Sequence, residues 1–389
     1  MTDLPAILGG SPAFPEGVPF TRPTLPPWEA LAPQLEAMYR SGNLTKGPHQ
    51  RRFEARMEAY LQVPHVVAVS SCTSGLMLGI QSLGLEGEVI VPSYSFMATF
   101  HALRWCNLTP VFVDCEPDTL TVDVEAVRAA LTPRTVGVMA VSLFGNPPDW
   151  PALEALCAEK GLALFSDSAH GLGTLLHGKP LGGWGSFEAF SLSPTKLLPA
   201  AEGGLVATRD ERVAAWVRSG RDYGNPGSYD CQFAGLNARM SEFHALLGLA
   251  GVDCLDSYAV HRNRVAEVYH AELGDLPGIG FQKVREGARS SYKDFPILVD
   301  PEAFGIDRDH LGRALQAEGI PTRAYFFPAG HEQTAYADLP RVHLPQTERL
   351  SRQVLCLPIA SHMELEEVRR VAWALRRIHA RASAVKVSG

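Results

Sequence analysis

A chain of 389 residues is too long for one ordinary hydrophobic core, and 46% hydrophobic with 20% charged residues excludes a disordered polar polymer, so two to three packed units are expected. A formal net charge of -7 without long runs of one sign excludes a surface built to hold a nucleic acid. No apolar run reaches membrane-spanning length and residues 1–20 hold no basic leader followed by an apolar stretch, so the expected location is the cytoplasm, with no membrane partner.

Residues 1–25 read as an extended N-terminal arm. From residue 66 onward short β-branched runs alternate with helical stretches: strands at 66–69, 88–91, 110–113, 136–141 and 162–165, helices at 73–83, 97–106, 124–131 and 151–160. That rhythm is the one a parallel sheet with crossover helices produces. Strands at 188–191 and 205–208 follow, separated by a loop too short for a full helix, which predicts some antiparallel pairing. Residues 241–273 carry helical periodicity interrupted at Gly251 and read as the connection into a second unit, with the boundary near Asp253. A strand at 292–299, a helix at 308–317 and an amphipathic helix at 364–378 then describe a smaller α/β unit. The expected division is an arm at 1–25, a large domain at 26–252 and a small domain at 253–389. The seven cysteines lie far apart, with no CxxC pair and no metal-like spacing with histidine, which predicts free, mostly buried thiols and no metal site.

Three short stretches carry chemistry. Ser70-Ser71-Cys72-Thr73-Ser74-Gly75 leaves a strand and opens a helix, so hydroxyls and unpaired amides converge at a positive helix end that suits a phosphate; an ordinary N-cap uses the same residues. Asp167 in FSDSAH follows a strand, where open α/β sheets gather ligands, and is a candidate partner for a cationic ring nitrogen; a turn aspartate is the plainer alternative. Lys196 leaves a strand among Phe190, Leu197 and Leu198, apolar neighbours that favour a neutral, nucleophilic amine, although a lone lysine is usually a solvated surface residue. His170 by itself reads as a packed core histidine.

Taken in order, the phosphate-type helix start, Phe96 in PSYSFMAT, Asp167 and Lys196 resemble the DegT/StrS family of pyridoxal phosphate-dependent sugar aminotransferases, which share the fold type I architecture of aspartate aminotransferase. KGPHQRRFE, AVSSCTSG, FSDSAH, SLSPTKLLPAAEGG and GLNARMSEFHALLG are similar to family wording from about Gly42 to the C-terminus. The resemblance implies a mostly parallel, seven-stranded-type sheet in the large domain, and Lys196 holding pyridoxal 5'-phosphate as an internal aldimine with pyridoxamine phosphate as intermediate. It further implies Asp167 on the pyridine nitrogen, Cys72, Thr73 and Ser191 on the phosphate, Phe96 stacked on the ring and His170 beside it. It places Asn237 at the neighbouring subunit's cofactor phosphate, hence a homodimer with composite sites, and puts Glu202, Tyr325, Phe326 and His331 on the substrate side. For Glu202 a turn role, and for the other three an aromatic core, explain the residues about as well.

The implied reaction moves an amino group from glutamate or glutamine to a keto group of a nucleotide-linked deoxysugar. A cyclitol ketone is the rival acceptor, and a cofactor-binding regulator without turnover the rival class. Ser193, Pro194 and Ser166 depart from the family wording, which separates this chain from any one relative's substrate. Dehydrating relatives typically carry histidine at the position of Lys196, so the lysine favours amino transfer. Arg221 and Arg323 are candidate cations for a diphosphate.

Overall fold

The computed structural model describes residues 4–388. In chain order its helices are α1 (Trp28–Ser41), α2 (Pro48–Leu61), α3 (Cys72–Ser82), α4 (Met97–Trp105), α5 (Val124–Ala129), α6 (Trp150–Lys160), α7 (Glu211–Gly220), α8 (Glu242–Gly251), α9 (Leu255–Leu273), α10 (Pro301–Phe304), α11 (Arg308–Ala317), α12 (Pro345–Gln353), α13 (Leu365–His379) and α14 (Ala382–Ser388). The strands are β1 (His65–Val69), β2 (Glu88–Pro92), β3 (Thr109–Val113), β4 (Thr135–Val141), β5 (Ala163–Asp167), β6 (Leu175–Leu176), β7 (Lys179–Pro180), β8 (Glu188–Ser191), β9 (Gly204–Thr208), β10 (Ile279–Phe281), β11 (Ala288–Arg289), β12 (Phe295–Val299) and β13 (Val354–Leu357).

Seven strands form one sheet in the order β1-β9-β8-β5-β4-β2-β3. Pairing is parallel from β8 through β5, β4, β2 and β3, and β9 is antiparallel to both its neighbours. The twelve residues between β8 and β9 form no helix, so no crossover element is there to carry a parallel return. The central strands are buried along nearly their whole length and read as continuous Val/Ile runs, because helices cover both faces. Short polar side chains fix where helices begin: Ser71 caps α3, Asp149 caps α6, Asp210 caps α7 and Ser241 caps α8.

A second, three-stranded sheet, β10-β12-β13, packs with α9, α11 and α13 around Phe295, Ile297, Leu311, Leu355 and Leu375. The segment 241–273 is broken as its glycine suggested: α8 ends at Gly251, and a 3-10 turn separates it from α9. The first turns of α9 bury Leu255 and Ala259 in the large core, and its later turns bury Val265, Tyr269 and Leu273 in the smaller one. Of the expected arm, residues 1–3 lie outside the described residues. Phe14 and Val18 join the smaller core, and Glu318, buried and paired with Arg377, accepts from the amides of Ala6 and Ala13. All seven cysteines are free thiols, four of them buried. No helix among the described residues is long and apolar enough to cross a membrane.

Two expectations shift. The strand predicted at 292–299 begins only at Phe295, because Tyr292 sits at φ 43 and turns the chain before the ladder starts. Asp167 is the last residue of β5 rather than the residue after a strand.

Candidate active site

The carboxyl ends of β1, β2, β4, β5 and β8 converge on a cavity of about 300 Å³, closed on its far side by the segments around Lys293 and Tyr325. A ligand site at this edge is what open α/β sheets provide. Cys72, Thr73, Phe96, Asp167, His170, Ser191, Lys196, Tyr325 and Phe326, separated by up to 254 residues in sequence, all line it.

At one end stands the first turn of α3. Ser71 Oγ accepts from the Ser74 amide at 3.1 Å, which leaves the amides of Cys72 and Thr73 without a protein acceptor among the described residues. With the hydroxyls of Thr73, Ser191, Ser193 and Thr195 lining the same cavity, this is an anion cradle at a helix N-terminus. The cradle depends on Gly204. β9 starts so close beneath the turn that a Cβ at this position would lie 2.5 Å from Cys72 N and 2.5 Å from the carbonyl carbon of Ser71.

At the end of β5, Asp167 Oδ2 accepts from Thr99 Oγ1 at 2.7 Å, and Oδ1 from the Ala169 amide at 3.1 Å, with Cys72 Sγ at 3.9 Å. Burial pushes the carboxyl up, while Thr99, Ala169 and the Lys196 charge pull it back towards the ionised form. Lys196 rises from a bend in which its amide donates to Ser193 O at 3.0 Å. Burial, followed by the charge of Lys293, pulls its amine down to about 8, against Asp294, Cys72 and Asp167, which favour the charged form. With its proton leaving at about 8, roughly a tenth of the amine is neutral at pH 7, far more than for a solvated lysine, and that fraction can attack an aldehyde.

An aromatic wall completes the cavity. Phe96, 46% exposed, leans on Phe326 at 5.8 Å; Phe326 stacks on Phe144 at 5.9 Å, and Phe144 on His170 at 6.2 Å. The Phe144 amide donates to His170 Nδ1 at 3.1 Å, and burial, with the charges of Lys196 and Lys293, holds the imidazole well below its usual range, so it is neutral. The expected cofactor fits these residues on chemical grounds: an anion cradle of open amides, a carboxylate at the sheet edge, an exposed aromatic face and a desolvated amine share one cavity.

Three predicted residues are not at the cavity. His331 does not line it: Ser93 Oγ accepts from its amide at 2.9 Å and lies 2.7 Å from its Nδ1, so the side chain fastens the segment after Phe326 to the end of β2. Glu202 does not line this chain's cavity either. It is exposed in the turn before β9. Asn237 is exposed, its Oδ1 accepting from Arg239 at 3.2 Å, and it does not line this chain's own cavity. Of the two candidate diphosphate cations, Arg221 is committed to Glu54 and the Ala68 carbonyl, whereas Arg323 is exposed with its guanidinium over the Phe20 ring.

Sequence reasoning missed Ser95, Ser142, Leu143, Thr195, Lys293 and Asp294, all on the cavity, and Thr99 behind Asp167. For Lys293 and Asp294 a signal existed: two opposite charges at the head of an otherwise apolar strand.

The model of the "DegT/DnrJ/EryC1/StrS aminotransferase family" matches residues 29–376. The chain is 36% identical to the erythromycin biosynthesis sensory transduction protein EryC1 of Saccharopolyspora erythraea, over 86% of this chain and 92% of that one. It is 35% identical to the dTDP-3-amino-3,4,6-trideoxy-alpha-D-glucose transaminase of Streptomyces venezuelae, over 86% and 88%. Among solved structures, DesI in the presence of its TDP-sugar product superposes with a TM-score of 0.93 at 38% identity, covering 99% of this chain and 98% of that one.

Proposed function

The chain belongs to the DegT/DnrJ/EryC1/StrS aminotransferase family, and from that premise we propose that it is a pyridoxal phosphate-dependent enzyme that moves an amino group from glutamate or glutamine to a keto group of a nucleotide-linked deoxysugar. The observation that carries the reading is Lys196, an amine pulled down to about 8 in one cavity with the Asp167 carboxylate and the open amides of α3. Pyridoxal phosphate bound there supplies an electron sink for a carbanion formed next to the transferred nitrogen.

The protein's part is to bind, orient and move protons. The amides of Cys72 and Thr73 and the Ser191 hydroxyl hold the phosphate. Asp167, whose oxygens accept from Thr99 and the Ala169 amide, would hold a proton on the pyridine nitrogen. Phe96 and neutral His170 hold the ring. Lys196 would hold the cofactor by its amine, and its Nζ, when free, is the base that would take a proton from the amino-bearing carbon of the substrate and return it. Tyr325 and Phe326 form the acceptor side. The nucleotide-sugar class is supported by the transaminase and the DesI complex among the relatives.

The active unit in this reading is a homodimer in which Asn237 completes the partner's phosphate site, supported by its exposure away from this chain's cavity. The division into 26–252 and 253–389 is kept, supported by a larger and a smaller apolar core joined through α9, with Tyr94 and Phe144 packed against Leu350 and Cys356 where the two units meet, and the cytoplasm is kept as the location. A regulator without turnover stays in view because one relative bears a sensory name. The test is the visible band of purified holoenzyme: bleaching by glutamate and return on adding dTDP-linked 3-keto or 4-keto deoxysugars is the expected result, and a band indifferent to every amino donor refutes amino transfer.

A further inference from the structure

Lys293 and Asp294 act on Lys196 only through their charges and hold no part of the cofactor in the proposed reading, yet both line its cavity. Lys293 Nζ donates to Asp294 Oδ1 at 2.8 Å, with side chains only 6% and 3% exposed. Asp294 Oδ2 is buried without a hydrogen-bond partner. The Lys293 ammonium, 5.5 Å from the Tyr325 ring centroid, makes no hydrogen bond other than the one to Asp294 among the described residues. Burying an ion pair is costly, and leaving one of its oxygens unmatched adds to that cost. The backbone holds the pair in place: the Lys293 amide donates to Phe144 O at 3.0 Å, and buried Arg262 donates to the carbonyls of Tyr292 and Lys293 at 3.0 Å each.

The unused valences are donors on the ammonium and one acceptor on the carboxylate. A hydroxyl both accepts and donates, and therefore matches them together. A carboxylate ligand matches only the ammonium and brings its negative charge against the free oxygen of Asp294. Building on the sugar aminotransferase reading, we propose that Lys293 and Asp294 are a specificity-determining pair that reads a ring hydroxyl beside the keto group of the acceptor, Lys293 donating to its oxygen and Asp294 Oδ2 accepting its proton. The pair selects hydroxylated over deoxygenated acceptors. It sits on the segment entering β12, so the smaller unit supplies the choice of acceptor.

The experiment is calorimetric titration of the holoenzyme in its pyridoxal form, which does not consume a ketone, with dTDP-4-keto-6-deoxyglucose and its 3-deoxy counterpart. Wild type is expected to bind the hydroxylated sugar roughly 100-fold more tightly or better, as a site built around a substrate hydroxyl does. The double substitution Lys293→Met with Asp294→Leu leaves neither charge unpaired. It is expected to bring the two dissociation constants within about threefold of each other, by weakening the hydroxylated sugar and sparing the other. Equal loss for both sugars, or a preference that survives the substitutions, overturns the assignment and makes the pair structural. A wild type that binds neither sugar overturns it together with the acceptor class, and bleaching by glutamate then still tells whether amino transfer itself stands.

Discussion

The cavity has two unlike walls. One is made by the ends of the large sheet: Ser71 to Thr73 after β1, Asp167 at the end of β5, Ser191 at the end of β8 and Lys196 a few residues on. The other is made by loops: Lys293 and Asp294 ahead of β12, and Tyr325 and Phe326 in an irregular segment. Sheet ends fix groups rigidly relative to one another, which suits a cofactor that must sit in a single place, whereas loops vary without disturbing the ladder and suit the choice of acceptor. Changes in the first wall should therefore remove chemistry, and changes in the second should redistribute it among substrates.

The largest expected effect is in the first wall. Lys196→Ala should lower turnover by at least about 1,000-fold, since both the amine that holds the cofactor and the proton carrier are lost; near-native circular dichroism with no visible band is the matching readout. Asp167→Asn comes next. The amide keeps the shape and the contact with Thr99 but cannot hold a proton on the ring nitrogen, so kcat should fall about 100-fold or more with donor and acceptor alike. Equal retention of kcat in that variant would remove the pairing of Asp167 with the ring. Gly204→Ala tests the cradle by crowding the Ser71–Cys72 peptide. Cofactor affinity, followed by fluorescence, should weaken by about tenfold or more, because the displaced amides are the anion's donors.

The contrast between the walls also explains what sequence could reveal. Strand, polar turn, helix is a repeated local pattern, so each element of the first wall announced itself within a few residues, and the helix-free β8-to-β9 link announced antiparallel pairing. Gly204 was visible only as half of a glycine pair; its reason, a close approach to Cys72, is a contact across 132 residues. In the second wall, Lys293 and Asp294 were hidden inside a predicted strand, because an apolar run blurs where the ladder starts. α1 and α2 gave no clear period either: α1 contains Pro33, and α2 is dominated by polar residues with Gln50, Phe53, Met57 and Leu61 as its buried stripe. RAYFFPAGH likewise compresses the wall residues Tyr325 and Phe326 and the fastening residue His331 into nine positions, which sequence alone does not separate.

A pH experiment sharpens the first wall with a smaller effect. Only the neutral amine of Lys196 attacks an aldehyde, and with its proton leaving at about 8 the neutral fraction rises as pH rises. The rate at which cofactor-free protein takes up pyridoxal phosphate should climb roughly tenfold between pH 7 and 9 and level off above, as one ionisation near 8 requires. An ordinary solvated lysine would go on climbing beyond pH 10, so a late plateau would show that the burial around Lys196 is not felt in solution.

The smallest effect belongs to the second wall. His331 touches no cavity group, yet its bonds with Ser93 tie the segment that carries Tyr325 and Phe326 to β2. In His331→Ala the backbone amide still donates to Ser93 Oγ, while the hydroxyl loses its imidazole partner, a deficit of about 1 kcal/mol for one hydrogen bond. That loss loosens the wall without removing it. KM for the keto-sugar should rise by about three- to tenfold, with kcat for the donor half-reaction and the position of the visible band close to wild type. If the donor half-reaction fell as far as the acceptor half-reaction, the two walls would not be separable, and the division of labour between sheet ends and loops would fail with them.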